Sequence, residues 1–276
     1  MFETLRREFV AKIVFTLFIL LSAWWIALQF MHLPQDSDAN QLFAAVYGLI
    51  ALFGGICGLL VSRKWGGFHS VFGKSVFFFS LGLLFQEVGQ LSYSFYIYYL
   101  RIPTPYPSIG DFFFYGTIPL YITAVLSLAK ASGIRISKQS LLAKSQAILI
   151  PLGMLLLSYF VFLQGYAFDW TNPLKVFIDF AAPLGQAVYI SFAILTLTLT
   201  HDKLGGLMKP KVMFILLALF VQYIADWTFL YQANRGTWYA GGIDDYMYLC
   251  AYFLMTFSLI QLNTILKKLK HEESKS

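Results

Sequence analysis

Eight apolar runs, each long enough to cross a hydrocarbon core of about 30 Å, constrain this chain more than any other feature. They cover Phe9–Met31, Gln41–Ser62, Ser75–Leu100, Asp111–Ala131, Ser145–Gln164, Pro173–Thr200, Val212–Gln232 and Asp245–Leu266. Lipid offers nothing to a free backbone N–H or C=O, so each run has to close its own hydrogen bonds as a helix. Hydrophobic residues make up 58% of the chain and charged ones 12%, far from a soluble average. The expected fold is an all-α polytopic membrane bundle. The first run follows Arg6 and Arg7 without a small-residue cleavage site, so it reads as a retained helix.

The basic residues alternate between the two faces. On one face lie Arg6, Arg7 and Lys12; Arg63, Lys64 and Lys74; Lys130, Arg135, Lys138 and Lys144; Lys203, Lys209 and Lys211; and Lys267, Lys268 and Lys270. The opposite loops carry Arg101, Lys175 and Arg235 beside Asp36, Asp38 and Asp169. This asymmetry predicts both termini in the cytoplasm. The net charge of +6 is thus an orientation signal and no argument for nucleic acid. Cys57 and Cys250 lie deep in apolar runs and read as small packing residues.

The two halves echo each other. Leu81–Gln86 and Leu217–Gln222 each place a glutamine inside an apolar helix, followed by an aromatic loop and an acid-opened helix at Asp111 and at Asp244-Asp245. Upstream, Phe43-Ala-Ala-Val-Tyr-Gly48 matches Phe180-Ala-Ala-Pro-Leu-Gly185, and Gly66-Gly67 matches Gly205-Gly206. The expected organisation is a first four-helix repeat over 1–134, a second over 135–270 and a short tail, 271–276. Four crossings per repeat make the halves parallel, related by an axis along the membrane normal, and their seam is a natural ligand site.

Polar groups inside the runs mark where that site falls. Glu87 lies roughly 20 Å from the start of the third run at 1.5 Å per residue, near mid-membrane. Gln86 and Gln90 share a face with spacing i, i+4, and Gln222 and Asp226 repeat it in the seventh run. In the sixth, Asp179, Pro183 and Gln186 share a face. A carboxylate at such depth costs at least ~2.5–3.5 kcal/mol, so it faces the interior, finds partners or is protonated. Interhelical hydrogen bonding is the simpler account for the glutamines. Asp111, Asp244 and Asp245 open helices, where a carboxylate accepts from free N–H groups, and Ser108 to Asp111 has capping-box spacing.

Several chemistries lack their parts. A membrane zinc hydrolase or a haem protein needs clustered histidines, and the four here sit at helix ends, in loops or in the tail, on opposite faces. A retinal Schiff base needs a mid-helix lysine, a serine hydrolase its nucleophile elbow, and neither motif is present. No cofactor is expected.

Pro105-Tyr-Pro-Ser-Ile-Gly-Asp111, followed by Phe-Phe-Phe-Tyr115 and Pro119-Leu120, resembles the "PYPSxAD…Y…P" signature of polytopic membrane sensor regions. These precede bacterial diguanylate cyclase (GGDEF/EAL) and some histidine kinase modules. Asp179-Phe-Ala-Ala-Pro-Leu-Gly-Gln186 is similar to the family's "D-x-x-YPLGD" motif, and Gln222-Tyr-Ile-Ala-Asp226 and Ile243-Asp-Asp-Tyr246 resemble its seventh-helix and last-helix segments. The chain departs by Gln186 in place of Asp, Ala182 in place of Tyr, and the lack of an output module after Lys270. The resemblance implies signal reception, with a membrane or cytoplasmic partner carrying the output.

The leading expectation is therefore a sensor-like, ligand-binding protein. Its outward pocket for a small molecule or lipid is lined by Glu87, Gln90, Asp111, Asp179, Gln186, Gln222, Asp226 and Asp245, and it signals by helix repacking. The alternatives are a transporter of a small or lipid-like solute, and a lipid-modifying enzyme using paired carboxylates such as Asp111 and Asp245.

Overall fold

A computed structural model describes residues 2–134, 140–200 and 208–273. The structure is 84% helical; among the described residues there is no strand, and eight helical segments are long and apolar enough to span a membrane. Gly205-Gly206, His201, Lys203, Arg135, Lys138 and the expected boundary between repeats lie outside the described residues.

The helices are α1 (Phe2–Arg7), α2 (Phe9–Met31), α3 (Asp38–Val46), α4 (Leu49–Lys64), α5 (Val71–Ser94), α6 (Ile109–Ala131), α7 (Leu141–Ser158), α8 (Pro173–Thr200), α9 (Lys209–Arg235) and α10 (Ile243–Glu273). Serine caps start four of them: Ser37, Ser70, Ser108 and Ser140 each accept from a first-turn N–H. Gly236, at φ 64°, ends α9 in the left-handed conformation. α5 and α7 finish in π-helical turns, Phe95–Leu100 and Tyr159–Leu163. α8 continues unbroken through Pro183.

The second apolar run departs from the single helix expected for it. It is interrupted at Tyr47-Gly48, between α3 and α4. α5 comes close there: a Cβ at Gly48 would land on the Glu87 carboxylate, so the turn and the buried acid occupy the same spot.

The packing forms a closed circuit. The α3–α4 pair packs on α5, α5 on α6, α6 on α8, α8 on α9, α9 on α10, and α10 returns to α4. α2 lies outside against α10, and α7 outside against α8. Burial agrees: 78% of the apolar window of α10 is buried, against 22% for α2 and 11% for α7. Bilayer helices gain little from hydrophobicity and pack through small residues and hydrogen bonds. Thus Gly54 and Gly58 of α4 let Thr256 and Leu259 of α10 approach closely, and Thr256 Oγ1 donates to Ile50 O at 3.1 Å.

Both termini meet at one end. Glu8 Oε1 accepts from Lys267 Nζ at 2.7 Å and from Asn263 Nδ2 at 3.2 Å. The other, distal end carries the loops 32–37, 101–108, 164–172 and 236–242.

Candidate functional site

A cleft occupies the distal half of the ring. Its enclosed volume is about 90 Å³, several times the ~10–15 Å³ that one water requires. The C-terminal parts of α3, α5 and α9 and the N-terminal parts of α6 and α10 form its walls, with Gln186 of α8 among the lining residues. The turn containing Trp238 and Ala240 forms its roof.

Four carboxyl groups face it: Asp111, Asp226, Asp244 and Asp245. Asp111 is the N3 acid of a complete capping box: Oδ2 accepts from Ser108 N at 2.6 Å, while Ser108 Oγ accepts from Asp111 N. Oδ1 accepts from Tyr93 Oη at 2.6 Å. The capping role expected from spacing is present, and the same side chain reaches the cleft wall.

Asp226 is the centre of the deepest network. Tyr189 Oη of α8 donates to Oδ2 at 2.7 Å, and Tyr248 Oη of α10 and Gln222 Nε2 of α9 donate to Oδ1 at 3.0 and 3.1 Å. Across the ring, Gln86 accepts from Tyr252 Oη at 3.0 Å and donates to Thr117 Oγ1 at 3.4 Å. Gln90 accepts from Tyr47 Oη at 3.4 Å and donates to Ala44 O. These bonds join all six ring members.

The roof is tied down by three bonds, from α10 and α2. Gly241 N donates to Asp245 Oδ2 at 2.6 Å, Trp238 Nε1 to Asp244 Oδ2 at 2.8 Å, and Trp25 Nε1 of α2 to Gly241 O at 3.0 Å. Trp25 also stacks on Tyr246, with ring centroids 4.3 Å apart.

Two polar atoms on the lining have no partner: Gln186 Oε1 and Asp244 Oδ1, both buried. An unpaired buried polar atom costs roughly 1–3 kcal/mol, so a donor that reached either atom would be held there.

Of the eight expected site residues, Gln90, Asp111, Gln186, Asp226 and Asp245 line the cleft. Gln222 stands behind Asp226 as its donor. Glu87 is likewise behind the wall, against Gly48, its buried Oε2 without a partner.

Asp179 stands apart from the cleft. Tyr106 Oη donates to its Oδ1 at 2.5 Å and Tyr166 Oη to its Oδ2 at 2.6 Å, so it clasps two distal loops to the start of α8. The bond to Asp179 and, secondarily, burial push the Tyr166 hydroxyl up to about 12. Asp179→Ala is expected to lower stability by about 1–2 kcal/mol, modest for two bonds to a charged group because the site is only half-buried. Limited proteolysis should then cut faster within 101–108 and 164–172, with cleft binding retained; unchanged cleavage would show that the clasp does not hold these loops.

Sequence reading missed the tyrosines Tyr47, Tyr93, Tyr189, Tyr248 and Tyr252, and with them Trp238. A signal existed on α10: Asp244, Tyr248 and Tyr252 recur at i, i+4 and i+8, a polar stripe on a single face.

No family model matches the chain, and neither the curated proteins nor the solved structures contain a match to it.

Proposed function

We propose that this integral membrane protein is a sensor-like module that binds a small molecule in the distal cleft and transmits binding by helix repacking. The observation that carries the reading is the pair of buried, unpartnered atoms, Gln186 Oε1 and Asp244 Oδ1, on the wall of a cavity that every member of the ring helps to hold. Below the cleft the ring closes on packed side chains such as Leu83, Tyr121 and Leu219, which favours binding over passage. The motif likeness to membrane sensor regions points the same way, as does the pairing of helices around the ring, which suits two parallel four-helix repeats.

α10 offers the route for a signal. It lines the cleft with Asp244, Tyr248 and Tyr252 and runs about 46 Å to the opposite end. There Lys267 is held by Glu8. A ligand that favours one packing of α10 would shift that contact, and a partner at the terminus-bearing face, cytoplasmic by the charge asymmetry, would read it.

The test is a thermal-shift screen of amines, polyols, carboxylates and short-chain lipids against the wild type, Gln186→Leu and Glu87→Gln. A hit on the wild type should be weakened in Gln186→Leu, whose own stability is expected to be unchanged or raised because the orphaned oxygen is gone. An equal response in all three proteins would sink this pocket.

A further inference from the structure

We infer that the ligand of the cleft is a small organic ammonium cation, held by the carboxylates and aromatic faces of α6, α9 and α10; the inference rests on the ligand-binding reading above and names its substrate class.

Charge balance comes first. Asp111, Asp226, Asp244 and Asp245 line the cleft, and no Lys, Arg or His lines it among the described residues. The donors around these four acids are neutral: the Tyr47, Tyr93, Tyr189 and Tyr248 hydroxyls, the Ser108 hydroxyl and N–H, the Trp238 indole, the Gln222 amide, the Gly241 N–H and the first N–H groups of α10. Neutral donors solvate a carboxylate without balancing its charge, and inside a bilayer an unbalanced carboxylate is costly. The missing positive charge comes from outside the protein.

The second observation is independent of the acids. Gln186 is 8% exposed and its Oε1, a pure acceptor, has no partner on the cleft wall. Asp244 is 0% exposed, and its Oδ1 has no partner of full hydrogen-bond geometry, only the first backbone N–H groups of α10 nearby. Unpaired acceptors beside four carboxyl groups suit an occupant that donates hydrogen bonds or carries positive charge.

The wall then selects the kind of cation. Tyr115, Phe114, Phe229, Trp238, Tyr248 and Tyr252 face the space, and aromatic faces attract an ammonium by about 0.5–2 kcal/mol each, more where water is excluded. Among the described residues no three His, Cys, Asp or Glu side chains converge in a metal-holding group. Carboxylates dispersed among aromatic rings suit a diffuse organic charge better than a compact metal ion.

The experiment has two arms on the full chain in phosphatidylglycerol nanodiscs. In the first, choline and tetramethylammonium are titrated against 3,3-dimethylbutan-1-ol, the uncharged carbon isostere of choline, with thermal unfolding and tryptophan fluorescence as readouts. The cations should stabilise saturably, the isostere should not, and Asp244→Asn should weaken the cations about tenfold, in keeping with loss of one charge-assisted contact. Equal effects of choline and its isostere would overturn the inference.

The second arm places a thiol on the lining by Ser94→Cys in a Cys57→Ala, Cys250→Ala background and compares trimethylammonium and sulfonate methanethiosulfonate reagents, each normalised to a free thiol. A cleft of one sign raises local counter-ion concentration about tenfold or more, so the cationic reagent should be faster by that factor and choline should protect. Equal normalised rates without protection overturn the cation while leaving the cleft standing. No reaction with either reagent removes the cleft itself, and the ligand-binding reading falls with it. A faster cationic reagent with neither protection nor stabilisation by choline or tetramethylammonium means that protons or inorganic ions balance the charge, and the inference is overturned. Repeating the labelling in phosphatidylcholine nanodiscs separates the sources: protection by that lipid alone assigns a headgroup ammonium, and protection by added choline alone a free amine.

Discussion

Asp226→Ala is expected to destabilise the bundle by about 2–5 kcal/mol, the sum of three intramembrane contacts at about 0.6–1.7 kcal/mol each. The estimate follows from what remains behind. Tyr189 and Gln222 are 1% and 2% exposed, so their donors have no water to turn to once the carboxylate is gone. The acid also joins α8, α9 and α10, three consecutive members of the ring, so its loss acts on two helix interfaces together. Tyr189→Phe and Tyr248→Phe remove one contact each and should cost about a third as much. Asp226→Asn should fall between them, because the amide keeps one acceptor oxygen and can donate to a tyrosine hydroxyl that reverses its role. Unfolding of the four variants in a mild detergent, followed by tryptophan fluorescence, gives the ranking. An Ala variant as stable as the wild type would remove Asp226 from the centre of this network.

The membrane spans were legible because length and hydropathy are strong signals; the first, Phe9–Met31, has the same bounds in sequence and structure, and the fourth differs at its start by two residues. Azimuth was not legible. In water an apolar face marks the core, but in lipid both faces of a helix are apolar. The segment Leu141–Leu163 has a mean hydropathy of 2.1 and is peripheral, while Ile243–Lys268, at 1.6, is the most buried. The less apolar helix is the inner one because its polar side chains have to face protein. Position along a helix follows from counting residues; direction does not.

The candidate site divides along the same line. Glu87 lies about midway along the span Val71–Leu100, yet it points at the break at Gly48 and not into the cleft. Asp179 and Gln186 are seven residues apart on one face, yet only Gln186 reaches the cleft, because the loop tyrosines Tyr106 and Tyr166 capture Asp179 first. Those captures depend on loops distant in sequence, which no local pattern reports. The tyrosines of the network were overlooked for a physical reason as well: their rings suit a membrane interface, and their hydroxyls announce a buried role only when a partner is in view.

Gly241→Ala should be the second most disruptive change, and here the backbone carries the effect. Gly241 has φ 82°, a left-handed conformation that strains any L side chain, and an added Cβ would meet Asn40 O at 2.9 Å and Asn40 Cα at 3.1 Å. Neither atom belongs to a side chain that can swing away, so the roof or the first turn of α3 has to move. Either movement pulls on the bonds from Gly241 N to Asp245 and from Trp25 to Gly241 O. Strain of this kind costs about 1–3 kcal/mol, and displacement of the roof should add to it. Gly236→Ala is the matched control: φ is 64°, but nothing lies within 4 Å of its added Cβ, so it incurs the backbone strain without the collision. Gly241→Ala should therefore be the less stable of the two and should shift tryptophan emission to the red as Trp25 and Trp238 lose their partners. Equal losses at the two glycines, with unchanged emission, would show that the approach of the turn to Asn40 does nothing to hold the cleft closed.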